Sequence, residues 1–176
     1  MRIFLTGMPG SGKSYWKEQL ATLLQYSAAD TDQLVEAKTG KKIPELFAEG
    51  EILFREKERE ALLELIQQYP GKVVIATGGG APCYKDNMEL MKAAGCVLYL
   101  ETSIERLISN VEGQGPTRPL LANGSRKELA DKLSALYRNR KEIYEQAQVK
   151  IDAETATLST FAAAIEKYLS DNNLSL

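Results

Sequence analysis

The sequence predicts an α/β fold in three layers, with helices covering both faces of a central parallel sheet. The main observation is that short apolar runs alternate with longer segments whose apolar residues recur at helical spacing. The 176 residues are also the usual size of one domain, and no repeat or linker-like stretch divides them. We therefore predict a single domain over residues 1–176.

Five apolar runs are the candidate strands: residues 3–6, 26–29, 73–77, 96–100 and 149–151, of which the second is the weakest. The clearest helical segments are residues 13–25, 33–38 and 158–169. Two further helix starts match a capping box, Thr102 with Glu105 and Ser125 with Glu128. This order of elements favours a five-stranded parallel sheet.

Composition and charge exclude several classes of protein. The net charge is −2, the pI is about 5.4, and no block of like charges indicates a nucleic-acid or membrane surface. No apolar run is long enough to span a membrane, and no segment resembles a signal peptide. Cys83 and Cys96 have no metal-ligand spacing, so we expect reduced thiols in a cytoplasmic protein. There is no histidine, so any proton transfer needs another group.

A glycine-rich segment directly follows the first predicted strand. Residues 7–14, GMPGSGKS, match the pattern G-x-x-x-x-G-K-[ST] and lead into a predicted helix. Backbone N–H groups of such a loop point at phosphate oxygens, and the helix N-terminus adds partial positive charge. Lys13 would reach the β- and γ-phosphates, and the Ser14 hydroxyl would bind one Mg²⁺ ion. The motif predicts a nucleotide site formed by Gly10, Ser11, Gly12, Lys13 and Ser14.

Two acidic residues follow the weak second strand. Asp30 ends that strand and would support Mg²⁺ through a water molecule, whereas Asp32 would face the acceptor and take or orient a hydroxyl proton. The alternative is that both acids cap the helix that follows.

Further candidates for binding the second substrate follow along the chain. Arg55 and Glu58 share one helix face, where a guanidinium held by a carboxylate could meet a planar carboxylate ligand; the alternative is an ordinary surface pair. Gly78, Gly79 and Gly80 follow a strand at the edge where open α/β sheets bind ligands, although they could form a simple turn.

The glycines and prolines of residues 112–123 interrupt the alternation of strands and helices. A loop of this kind in a compact domain is often functional, so we predict a lid. Arg118 lies in this loop; the alternative for it is a solvated loop arginine.

These residues, taken together, resemble the shikimate kinases over nearly the whole chain. The matching segments keep the family's order and spacing: the phosphate loop, residues 30–32 (DTD), 47–58 (FAEGEILFREKE), 77–81 (TGGGA), 118–121 (RPLL), and Arg140 with Tyr144. Each of these segments beyond the phosphate loop is unspecific by itself, whereas five in sequence are specific.

The resemblance implies the strand order 2-3-1-4-5, an acceptor-binding region at about residues 31–60, and a monomer. It also implies ATP-dependent phosphorylation of the 3-hydroxyl of shikimate to 3-phosphoshikimate and ADP, in aromatic amino-acid biosynthesis. In the family's pattern Arg55 and Arg140 bind the shikimate carboxylate, Glu58 fixes Arg55, and Phe47 and Phe54 form apolar walls. Gly79 contacts the substrate, and Arg118 closes over ATP and stabilises the transferring phosphoryl group.

The chain departs from the family's pattern at two places that bear on the site. Val111 stands where many members have an arginine that stacks on adenine, and no proline follows Arg140. Arg138 therefore remains a rival of Arg140, and Arg140 could also be a solvated residue of its helix.

Two other functions stay open at the level of sequence. One is another kinase of the same architecture, acting on gluconate or a nucleoside monophosphate, because two arginines could also bind a phosphate. The other is a non-catalytic nucleotide-binding relative, which would have no use for an acceptor base such as Asp32.

Overall fold

The computed structural model describes residues 1–112 and 125–174, and within them one parallel sheet forms the centre of the fold. Its strands are β1 (Arg2–Thr6), β2 (Ser27–Asp30), β3 (Val73–Ala76), β4 (Cys96–Glu101) and β5 (Val149–Asp152). They lie in the order β2-β3-β1-β4-β5, and every neighbouring pair is parallel. The predicted sheet and its strand order are confirmed.

The helices connect the strands as the periodicity predicts. They are α1 (Lys13–Leu24), α2 (Thr31–Thr39), α3 (Ile43–Glu49), α4 (Glu51–Gln68), α5 (Asn87–Ala94), α6 (Ile104–Val111), α7 (Arg126–Tyr144) and α8 (Leu158–Asp171), with a 3₁₀ turn at Ala81–Cys83. Ser125 caps α7 in the predicted capping box with Glu128. The box predicted at Thr102 is wrong by one residue, because Ser103 accepts the Arg106 N–H and caps α6.

Side chains of β1 point alternately to the two faces of the sheet. Ile3 and Leu5 pack with residues of α1 and α8 on one face, and Phe4 packs with residues of α4 and α5 on the other. All three are fully buried. A parallel strand covered on both faces consists of a continuous apolar run, which explains the runs in the sequence. The three-layer arrangement is therefore confirmed.

The weak apolar character of β2 follows from its position. It pairs only with β3, at one edge of the sheet, and Ser27 and Ala28 are exposed. In the part of the chain that the structure describes, none of the helices is both long and apolar enough to span a bilayer.

Arg2 ties the start of the central strand to the ends of two helices. Its guanidinium donates to the backbone carbonyls of Ile66 at 3.0 Å, Tyr69 at 2.5 Å and Ala94 at 2.8 Å. These carbonyls belong to the last turns of α4 and α5, where the final C=O groups lack partners within the helix. A guanidinium there satisfies them and also complements the negative end of each helix dipole.

We expect Arg2→Ala to lower the free energy of unfolding by about 1–3 kcal/mol, because three partly buried carbonyls lose their donor. Arg2→Lys keeps the charge but cannot form the three-pronged contact, so it should recover only part of the loss. Denaturant unfolding of both variants measures this. Equal stability of Arg2→Ala and the parent would show that water replaces the guanidinium without cost.

Candidate active site

The phosphate loop lies between the end of β1 and the first turn of α1, as the motif predicts. Gly10 and Gly12 have φ angles of +89° and +87°, in the region that favours glycine. A Cβ on Gly10 would also come within 2.8 Å of Val111 Cγ2. Val111, which replaces the expected adenine-stacking arginine, therefore packs directly over the loop.

The loop is held in shape by side chains from two helices. Lys13 is 7% exposed, and its Nζ donates to the carbonyls of Gly7 at 2.8 Å and Met8 at 2.9 Å. From α6, the Asn110 side chain donates to the Gly10 carbonyl at 2.8 Å. The Ser14 side chain lies in the exposed first turn of α1, where an incoming ligand can reach it.

The two acidic residues after β2 have different surroundings. Asp30 is the N-cap of α2, and its Oδ1 accepts the backbone N–H of Asp32 at 3.0 Å. Its Oδ2 lies 3.6 Å from the Nζ of Lys17. Capping therefore accounts for one oxygen of Asp30, whereas the side chain of Asp32 is free of that task and its Oδ1 is shielded from solvent.

The three glycines after β3 allow carboxylates and a guanidinium to approach the backbone. A Cβ on Gly78 would overlap with Glu58 Oε1 and come within 2.9 Å of Asp32 Oδ1. A Cβ on Gly80 would overlap with the guanidinium of Arg55. These three side chains can take their positions only because Gly78 and Gly80 have no Cβ atom, so these two glycines are required by the packing of the site.

The backbone of Gly79 and Gly78 also forms hydrogen bonds with side chains of neighbouring elements. Gly79 is the least buried of the three, and its carbonyl accepts the hydroxyl of the fully buried Tyr144. The Gly78 N–H donates to Thr31 Oγ1 at 3.0 Å, which joins the end of β3 to the start of α2.

The guanidinium of Arg55 is held by two carboxylates and two aromatic rings. Its guanidinium donates to Glu58 at 2.8 Å and to Glu51 at 3.2 Å. The same group lies over the rings of Phe47 and Phe54, 5.4 and 5.1 Å from their centroids. The chain turns between α3 and α4 at Gly50, whose φ is +147°, and the two phenylalanine rings pack against each other beside the guanidinium, with their centroids 4.5 Å apart.

The two candidate arginines on α7, Arg138 and Arg140, face opposite environments. Arg140 is 7% exposed, whereas Arg138 is an exposed residue. The charge of Arg140 acts on the pKa values of Glu58, Cys83 and Tyr144, so its guanidinium faces the same pocket as Arg55. Arg140 is therefore the candidate that lies in the pocket, although this chain lacks the proline that follows the arginine in the family's pattern.

Glu58 is the most buried charge of the pocket, with 1% of its side chain exposed. Burial raises its pKa to about 7, the guanidinium of Arg55 opposes this, and the nearby Asp32 adds to the rise. Its Oε1 has no hydrogen bond among the described residues. One carboxylate oxygen thus holds Arg55 and the other points towards Asp32 and Gly78.

Ser14 and Asp30 match what a protein usually contributes to a magnesium site. Over residues 1–112 and 125–174 there is no group of three or more His, Cys, Asp or Glu side chains that could hold a metal alone. Mg²⁺ usually keeps several waters and takes one or two protein oxygens together with substrate phosphates. A single exposed hydroxyl and one strand-end carboxylate fit that pattern.

Two residues near the site were not predicted from the sequence, and other predicted residues lie outside the part of the chain that the structure describes. Arg118 and nearly all of the proposed lid fall in residues 113–124, which the structure does not describe. Sequence reasoning missed Lys17 and Asn110. The spacing of Lys17, four residues after Lys13 and three after Ser14, was the available signal, because it places all three on one helix face.

Comparison with known proteins identifies the family. The family model for shikimate kinase matches residues 9–170. A shikimate kinase from Parabacteroides distasonis is 40% identical over 154 residues, covering 87% of this chain and 88% of the relative. One from Clostridium botulinum is 38% identical over 171 residues, covering 97% and 98%.

This chain belongs to the shikimate kinase family.

Solved structures of shikimate kinases agree with this membership. The enzyme from Acinetobacter baumannii, solved in complex with shikimate, has a TM-score of 0.86 at 34% identity and covers 99% of this chain and 95% of its own. The enzyme from Bacteroides thetaiotaomicron has a TM-score of 0.85 at 34% identity, covering 99% of both chains. A deoxyadenosine kinase from M. mycoides, at a TM-score of 0.56 and 17% identity, shares only the fold.

In this shikimate kinase family member we expect Glu58 to make stability depend on pH. Because its pKa is raised from 4.5 to about 7, the stability it contributes is present below about pH 4.5 and is lost as the pH rises through about 7. The side chain of Glu58→Gln resembles the protonated carboxyl. The free energy of unfolding of this variant, relative to that of the parent, should therefore rise by about 1–3 kcal/mol as the pH increases from 4.5 to 7.5.

Denaturant unfolding of both proteins across this range measures the change. Glu56→Gln is the matched control, because Lys85 and Tyr84 lower the pKa of the half-buried Glu56, so its contribution changes only below about pH 4.5 and its difference from the parent should stay constant over this range. A Glu58→Gln difference that does not vary with pH would contradict the raised pKa.

Proposed function

We propose that this chain transfers the γ-phosphoryl group of ATP to the 3-hydroxyl of shikimate, giving 3-phosphoshikimate and ADP for aromatic amino-acid biosynthesis. One observation carries the proposal: two buried guanidiniums, Arg55 and Arg140, face one pocket beside the phosphate loop. Family membership and the shikimate complex of the Acinetobacter baumannii relative support the choice of acceptor.

In this proposal the guanidiniums clamp the shikimate carboxylate. A carboxylate that leaves water needs strong donors in return, and two guanidiniums supply paired, charge-assisted hydrogen bonds. Glu58 and the two phenylalanine rings orient Arg55 before the ligand arrives, so little ordering is left to binding. The backbone of the half-buried Gly79 would contact the ring, with Gly78 and Gly80 on either side.

Asp32 is the proposed acceptor base. It lies beside Gly78 at the start of α2, and the chain has no histidine to replace it. Its carboxylate would orient the 3-hydroxyl towards ATP and accept the proton as the new O–P bond forms.

The nucleotide side would act through position and charge. Gly10, Ser11 and Gly12 would donate backbone N–H groups to the phosphates, and Lys13 would move from the loop carbonyls to the β- and γ-phosphates. Ser14 and, through water, Asp30 would hold Mg²⁺, which neutralises phosphate charge when bound. The role of Arg118 in stabilising the transferring group stays a prediction from sequence.

We further propose that the enzyme works as a monomer in the cytoplasm. Each residue of the proposed site comes from the one chain, and Cys83 and Cys96 are free thiols among the described residues, which suits a reducing compartment.

The acceptor is tested by ADP release, coupled to an optical assay, with shikimate, quinate, gluconate and nucleoside monophosphates. We expect turnover to be fastest with shikimate. Faster turnover with gluconate or a nucleoside monophosphate would replace this proposal with another kinase activity, and no ADP release with any acceptor would indicate a binding protein.

We expect Asp32→Asn to lower kcat by about 10²–10⁴-fold, the usual range for a lost general base, and to leave ATP affinity nearly unchanged. Steady-state kinetics and nucleotide titration measure the two quantities separately. Near-normal turnover would remove Asp32 from the chemistry.

We expect Arg55→Ala and Arg140→Ala each to weaken shikimate binding by about 2–5 kcal/mol, because the other groups of the clamp remain buried without a full set of partners. ATP affinity should change little. The exposed Arg138 offers a matched control on the same helix, and Arg138→Ala should bind shikimate like the parent. Calorimetric titration decides between them, and loss of binding in Arg138→Ala alone would reverse the assignment on α7.

A further inference from the structure

Lys17 is a buried, positively charged residue on α1, the helix that follows the phosphate loop, and the function proposed above gives it no role. Its side chain is 3% exposed, and its Nζ lies 3.6 Å from Asp30 Oδ2 and 3.1 Å from Glu18 Oε1. Glu18 is 63% exposed and Asp30 only 10%, so the shielded partner is Asp30. On α1, Lys17 follows Ser14 by three residues, which puts both on one face of the helix.

A purely structural reason for this pair is weak. Removing an ammonium and a carboxylate from water costs about as much as their attraction returns, and apolar side chains fill such positions at least as well. The cap of α2 does not require the contact either, because Asp30 caps the helix through its other oxygen.

We propose that Lys17 is a positioning residue that sets how strongly nucleotide binding depends on Mg²⁺, by holding a positive charge against Asp30. The inference rests on the proposed role of Asp30 as a metal partner through water. A carboxylate next to a fixed ammonium attracts a second cation less, and the ammonium also repels an ion on the same helix face. Burial limits screening of these charges by salt.

The same ammonium has the opposite effect on nucleotide without metal. It adds positive potential near the phosphates, so ADP alone binds better than it would beside an uncompensated Asp30. The quantity to measure is therefore the ratio of the ADP dissociation constant in EDTA to that in Mg²⁺. Lys17 keeps this ratio small.

Calorimetric titration of ADP, with and without Mg²⁺, gives the ratio without any need for turnover. The single tryptophan, Trp16, offers a second readout, because its backbone N–H donates to the carbonyl of Gly12 in the phosphate loop. Lys17→Met removes the charge and keeps much of the length, and we expect the ratio to rise on the order of tenfold.

Two matched variants control for charge and for the second partner. Lys17→Arg keeps the cation, and Glu18→Gln removes only the exposed contact, so each should leave the ratio within about twofold of the parent. Thermal unfolding is recorded for every variant. A merely structural role would lower the unfolding temperature and weaken both dissociation constants alike, with no change in their ratio.

Asp30→Asn separates this inference from the proposal on which it rests. If Asp30 supports the metal, Asp30→Asn lowers the ratio. An unchanged ratio in Asp30→Asn would reject the metal role of Asp30 itself. If the ratio is lowered in Asp30→Asn but unchanged in Lys17→Met, only the role of Lys17 is rejected. Lys17→Gln replaces Lys17→Met in this test if the methionine variant does not fold.

Discussion

The parallel pairing of β1 with both β3 and β4 is the constraint on which the site depends. Because the described strands all run in one direction, they end at the same edge of the sheet, and the segments that follow them are neighbours. The phosphate loop leaves β1, Asp30 ends β2, and the three glycines follow β3. Gly79 thereby comes so close to the phosphate loop that a Cβ on it would lie 3.2 Å from the Gly7 carbonyl.

The acceptor pocket concentrates charge that the fold must shield and pair. Arg55, Glu58 and Arg140 are all buried there, and burial of charged groups is costly unless each has partners. Glu58 and Glu51 bind Arg55, two aromatic rings pack beside it, and Gly80 makes room for it. What this arrangement provides is a set of donors already oriented for an anionic ligand, which lowers the entropy lost on binding.

The nucleotide and acceptor sides are linked through one short segment, residues 30–32. Asp30 contacts α1 through Lys17 and caps α2, Thr31 accepts the N–H of Gly78, and Asp32 lies beside the same glycine. The first residue of the segment thus contacts the helix after the phosphate loop, and the next two contact the acceptor side. The sequence left open that both acids only cap α2, and the hydrogen bonds show that Asp30 is the cap.

Sequence by itself determined the features that depend on near neighbours in the chain. Apolar runs marked the strands, the glycine spacing marked the phosphate loop, and Ser125 with Glu128 marked the start of α7. Only the tertiary structure decided which arginine of α7 enters the pocket, because residues 138 and 140 lie on different faces and the docking of the helix selects one. It likewise decided the contacts of Arg2 with two helix ends and of Lys17 with Asp30, since these join residues whose proximity arises from the packing of the sheet and its helices.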